Sequence, residues 1–140
     1  MKKSLHVALV QMQSTENIAA NEAQVSEQLQ ALGDLSCLDL VIFPENSLYL
    51  QVEAWSPESR QTFRLNDPSI QRLQQVVERH SLAIILGSIP LLEDNRVYNA
   101  TVLIEPAREP RALYRKIHLF DVDVAGEKAV RESDQFTHGS

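Results

Sequence analysis

The sequence predicts an α/β domain built from βαβ units with an added hairpin. Short runs of β-forming apolar residues alternate with stretches whose apolar residues recur at helical spacing. The second and third strand runs are almost continuously apolar, the pattern of parallel strands covered on both faces. Beyond residue 93 the connections become short and turn-rich, which favours antiparallel pairing over another crossover.

Residues 5–10 read as the first strand, bounded by the polar stretch 11–17. Ile18, Val25, Leu29 and Leu32 then fall on one helical face, with Gly33 placed to cap the end. Residues 38–43 form the second strand, which Pro44 ends. Asp67 before Pro68 is an N-cap followed by a first-turn proline, and Ile70, Leu73, Val76 and Val77 line one side of the helix that follows. Residues 82–86 are a third buried strand, closed by Gly87. Residues 97–104 and 111–114 are strands, separated from each other by residues 106–110 and from the third strand by residues 93–96. The tail from 121 to 140 carries a weak apolar pattern and reads as loop.

A length of 140 residues suits one domain, and 44% hydrophobic with 23% charged residues is ordinary for a soluble globular chain. The net charge is −6 and the basic residues are scattered, which argues against nucleic acid or an anionic membrane as partner. No apolar run is long enough to span a bilayer, and the basic opening is not followed by the apolar core of a signal peptide. A cytoplasmic location is expected. The single Cys37 cannot form an internal disulfide, which fits a reducing compartment.

His6, His80, His118 and His138 have no metal-ligand spacing among themselves or with Cys37, and no glycine-rich phosphate loop is present, so neither a metal nor a cofactor is expected. Ser88 lacks the surroundings of a nucleophile elbow. Asn99-Ala100-Thr101 fits a glycosylation sequon but lies inside a predicted strand, so a chance match is the better account.

In open α/β sheets ligands bind beyond the carboxyl ends of the strands. Glu45 follows the second strand and Lys116 the last one, so a carboxylate and an ammonium arrive at one rim, able to serve as base and oxyanion stabiliser. On position alone the better reading of each is a solvated charge at a strand end. Tyr49 and Trp55 follow Glu45 in a loop over residues 47–64, where they either line a pocket or pack the loop down.

The wording around the charges is more specific. Phe43-Pro44-Glu45-Asn46 and Tyr114-Arg115-Lys116-Ile117-His118-Leu119-Phe120-Asp121 resemble the first two catalytic motifs of the carbon-nitrogen hydrolase (nitrilase) superfamily. Val7-Ala8-Leu9-Val10-Gln11-Met12 is similar to its first strand, Tyr98-Asn99-Ala100-Thr101 to the strand before the lysine, and Arg131-Glu132-Ser133-Asp134-Gln135-Phe136-Thr137 to the segment with a second glutamate. The resemblance covers the whole chain and is nearest the omega-amidase and deaminated glutathione amidase branch.

The resemblance implies the N-terminal half of an α-β-β-α sandwich, residues 1–140, and a protein that forms homo-oligomers at full length. It implies that Glu45 takes the proton from a cysteine thiol, that Lys116 stabilises the oxyanion and that Glu132 holds the lysine or the substrate nitrogen, with Asn46, Tyr49 and His118 shaping the site for a small amide. The family's nucleophile follows the segment resembling 131–137, so the chain is expected to stop before it. Cys37 stands at the opposite end of the second strand from Glu45 and reads as a structural or incidental thiol. The competing expectation is an inactive fragment or a module that binds a partner through an exposed sheet.

Overall fold

The computed structural model describes residues 4–51, 61–123, 125 and 129–140. Strands β1 (Val7–Leu9), β2 (Leu40–Phe43) and β3 (Ala83–Glu93) pair in parallel, with helices α1 (Ile18–Ala31) and α2 (Pro68–His80) as the crossovers. Strands β4 (Arg96–Ile104) and β5 (Arg111–Arg115) add antiparallel, giving the order β1-β2-β3-β4-β5. The tail is not all loop: β6 (Asp121–Val122) and β7 (Val130–Arg131) form a small antiparallel ribbon, and a 3-10 turn spans Glu132–Asp134.

Helix α1 starts where the Asn17 side chain accepts the Ala20 N–H, and it buries Val25 and Leu29. Gly33 follows it in the left-handed region, φ 71°, as the helix-ending role requires. Helix α2 has Asp67 at its N-cap and proline in its first turn, but the Asp67 side chain makes no capping hydrogen bond; the carboxylate instead turns back to accept the Arg64 N–H at 2.8 Å. Ile70, Leu73 and Val77 pack with Val41, Phe43, Ile84, Leu86, Val102 and Ile104 in one core. Fully burying a side chain of this size contributes about 1.5–3 kcal/mol.

Two expectations are corrected. Burial in β2 and β3 alternates: Leu40, Ile42, Ala83 and Ile85 are only half-buried, and Leu9 on the same face is 76% exposed. The helices therefore cover one face of the sheet, and among the described residues the other is only partly covered. Nor does Gly87 close the third strand. β3 runs on to Glu93 through a register shift between Leu86 and Ile89, because the bulge absorbs the glycine rather than ending the ladder. Phe63 flanks this extension, donating its N–H to the Pro90 carbonyl and accepting from Leu92. Asp94 (φ 47°) and Asn95 (φ 60°) make the two-residue turn into β4, a conformation that short polar side chains tolerate.

Candidate active site

The bulge places the carboxyl end of β2 in close contact with the middle of β3. A Cβ on Gly87 would stand 2.5 Å from the Phe43 carbonyl oxygen and 2.6 Å from the Pro44 carbonyl carbon, so only glycine fits. Phe43 is fully buried, Pro44 ends the strand, and Glu45 then leaves the core with its side chain 55% exposed. Asn46 has a φ of 57° and donates its N–H to Ser88 Oγ at 3.1 Å, which fixes the turn that carries Glu45. Further along, Asn21 of α1 is fully buried and donates to the Leu48 carbonyl at 2.9 Å, anchoring the same loop to the helix layer.

Lys116 follows β5 directly, and its backbone N–H donates to the Asn99 carbonyl on β4 at 2.8 Å. Its ammonium lies 2.9 Å from Glu132 Oε2, 3.2 Å from Glu132 Oε1 and 3.5 Å from Glu45 Oε1. Glu132 is also held by the Phe120 N–H, which donates to Oε2 at 2.6 Å. The Asn99 amide joins the two carboxylates, with Nδ2 donating to Glu45 Oε1 at 3.0 Å and to Glu132 Oε1 at 2.9 Å.

Burial alone would push the Lys116 ammonium down, but the hydrogen bond to Glu132 and the charges of Glu45 and Glu132 outweigh it and hold it above the ordinary lysine value. Glu132 shows the converse. Burial raises its carboxyl, yet the hydrogen bonds from the Phe120 N–H, Lys116 and Asn99 together bring it below the usual glutamate value. Lys116 therefore stays a cation and Glu132 an anion at neutral pH. Glu45 is the more exposed carboxylate, its side chain 55% accessible against 14% for Glu132, and it is the group a substrate can reach.

Glu45, Asn46, Tyr49, Lys116, Glu132 and Phe120 are among the residues lining one cavity of about 400 Å³. The structure thus brings together Glu45, Lys116, Glu132, Asn46 and Tyr49. Burial, and then the charge of Glu16, push the Tyr49 phenol up, so it remains a neutral donor. His118 is exposed and stands outside the cavity lining. Trp55 lies outside the described residues.

Cys37 is exposed in the 3-10 turn Leu35–Cys37, where Sγ lies 3.0 Å from the Asp34 carbonyl, with all of β2 between it and Glu45. Among the described residues no group of three His, Cys, Asp or Glu is placed to hold a metal ion, and no helix is long and apolar enough to cross a membrane.

Asn99 entered the sequence reading as part of a chance sequon and of the stretch resembling the strand before the lysine, with no role at the site, yet it is 5% exposed and touches both glutamates. A signal was present: an asparagine within an otherwise apolar strand needs a buried polar partner.

A family model described as carbon-nitrogen hydrolase matches residues 6–140. The chain is 33% identical over 141 residues to a deaminated glutathione amidase from Yersinia enterocolitica, covering 98% of this chain and 48% of that one. It is 39% identical over 71 residues to an omega-amidase from Homo sapiens, covering 51% of this chain and 26% of that one. Among solved structures, the C. elegans NitFhit protein superposes with a TM-score of 0.75 at 18% identity, over 96% of this chain and 33% of that one. The chain spans about half the length of the amidase from Yersinia enterocolitica.

Proposed function

This chain belongs to the carbon-nitrogen hydrolase family, and on that premise we propose that it supplies the base and the oxyanion-stabilising cation of an amidase acting on non-peptide C–N bonds of small amides. The observation that carries the reading is the Lys116 ammonium lying between Glu45 and Glu132 at the rim of a cavity.

In this reading Glu45 takes the proton of a cysteine thiol, and the thiolate attacks the amide carbon. The carbonyl π electrons move onto oxygen, where Lys116 stabilises the negative charge. Collapse of the tetrahedral intermediate expels ammonia or an amine, which receives the proton from Glu45. Water, deprotonated by Glu45, then attacks the thioester, and the thiol and a carboxylic acid are released. Glu132 keeps Lys116 oriented, and Asn46 and Tyr49 offer polar contacts to the substrate. The geometry argues against Cys37 as the nucleophile, since β2 separates it from Glu45; we place the thiol outside residues 1–140. The names of the relatives favour omega-amides of dicarboxylic acids and deaminated glutathione as substrates. A cytoplasmic homo-oligomer belongs to the same proposal.

A second reading, a non-catalytic module that binds a partner through its sheet, is favoured by the half-exposed apolar face bearing Leu9, Ile42 and Ile85.

The test is ammonia release from α-ketoglutaramate and deaminated glutathione, by the 140-residue chain and by a protein continuing it to the length of its relatives. Turnover by the longer protein that disappears in Glu45→Gln supports the amidase. Turnover that survives that substitution removes Glu45 as base, and turnover by the 140-residue chain alone removes the placement of the nucleophile.

A further inference from the structure

We infer that Asn99 is the positioning residue of this site, its carboxamide fixing Glu45 and Glu132 on either side of Lys116 while its carbonyl fixes the backbone of the lysine. The inference rests on the reading of Glu45 as base. A primary amide nitrogen carries two hydrogens, and here each has a carboxylate oxygen within range, at 3.0 Å in Glu45 and 2.9 Å in Glu132. The opposite orientation of the amide would set its oxygen against two anionic oxygens, so the surroundings dictate which way the group points. The third tie is the 2.8 Å bond from the Lys116 N–H to the Asn99 carbonyl. One residue therefore contacts both carboxylates and the backbone of the lysine.

Asn99 can do this because it is itself immobile. It is 5% exposed and sits in mid-strand, paired in register with Pro90 on the extended part of β3. The adjacent pair, Ala100 with Arg115, joins β4 to β5 immediately before the lysine. The two glutamates share a single ammonium on a flexible lysine arm, and Glu132 has the Phe120 N–H besides, so the Asn99 amide is the tie that both carboxylates have in common. A neutral double donor adds attraction to both anions without adding charge, and a rigid strand fixes where they stand.

The tests are arranged so that they do not depend on turnover. In the unmodified chain, nitrogen-15 NMR of the Asn99 side-chain amide should show two inequivalent, slowly exchanging protons whose shifts move together with the protonation of Glu132 as pH falls. Fast-exchanging protons that ignore that titration would overturn the inference. Asn99→Leu keeps the branched outline of the side chain and removes both donors, so the Glu132 carboxyl carbon should titrate at higher pH than in the unmodified chain. An unchanged midpoint in a folded variant overturns the inference, whereas a residue that only packs would leave the midpoint where it is. Should Asn99→Leu not fold, the measurement on the unmodified chain decides alone. In a protein that turns over, the same substitution should lower kcat by about 10²-fold with KM little changed, the cost of a misplaced reacting group. Absence of any amidase activity would defeat the functional reading and leave the NMR result standing.

Discussion

Ser88 Oγ accepts the backbone N–H of Asn46 at 3.1 Å, joining the bulge of β3 to the residue next to Glu45. The two strands meet there with no room for an added carbon. Gly87→Ala should lower stability by about 1–3 kcal/mol, because the methyl group would meet the backbone of Phe43 and Pro44 rather than a yielding side chain. A thermal melt followed by circular dichroism should show a drop of several degrees. Gly33→Ala is the control: nothing lies within 4 Å of its Cβ, so only the positive φ penalises it, by about 1 kcal/mol. Equal losses in the two variants would contradict the packing account.

The ion network predicts a pH dependence on the acid side. Glu132 is held below the ordinary 4.5, chiefly by three hydrogen bonds working against its burial. As pH falls below that ordinary value, the unfolded chain takes up the proton first. The stability Glu132 contributes is therefore complete above pH 4.5 and is lost as pH falls through the lower folded value. Urea midpoints measured between pH 7 and 3 should fall less steeply in Glu132→Gln than in the unmodified chain. Parallel curves would show that Glu132 titrates alike in both states.

Much of this arrangement was legible in the residues. Phe43-Pro44-Glu45 announces a strand end followed by an acid, and Asp94-Asn95 announces a tight turn, because both depend on local backbone preference. The second half of β3 was hidden, since Gly87 and Pro90 are residues that ordinarily interrupt strands; a bulge and the flanking Phe63 accommodate them, and neither is encoded locally. Asn99 escaped notice for a related reason. What it contacts lies 54 residues before it and 33 after, distances over which sequence spacing is silent.

Ser47 offers a prediction of opposite sign. Its hydroxyl is fully buried and finds no hydrogen-bond partner among the described residues. Ser47→Ala should therefore be neutral or stabilising by up to about 1–2 kcal/mol, since it removes a desolvated polar atom and leaves none behind. Chemical denaturation would read the change as a midpoint that stays or rises, and a fall of comparable size would mean that the hydroxyl has a role the contacts do not display.

The reactive thiol can be placed by substitution. In a protein of this family continued to full length, Cys37→Ser should leave amide turnover unchanged, because its Sγ engages the Asp34 carbonyl at the end of β2 away from Glu45. Glu45→Gln in the same protein should reduce kcat by roughly 10²–10⁴-fold, the usual contribution of a positioned base. Steady-state ammonia release measures both, and a large loss in Cys37→Ser would reverse the assignment.

The charged groups of the site come from far apart in the chain: 71 residues separate Glu45 from Lys116, and 16 separate Lys116 from Glu132. Closing such loops costs entropy, which the β3–β4–β5 ladder helps to offset, so the three charges come together where that ladder is formed. A nascent or misassembled chain would carry the same lysine and glutamates scattered and chemically idle. Competence at this site therefore depends on the assembled ladder, and its ion network can serve as a reporter of which molecules in a preparation possess it.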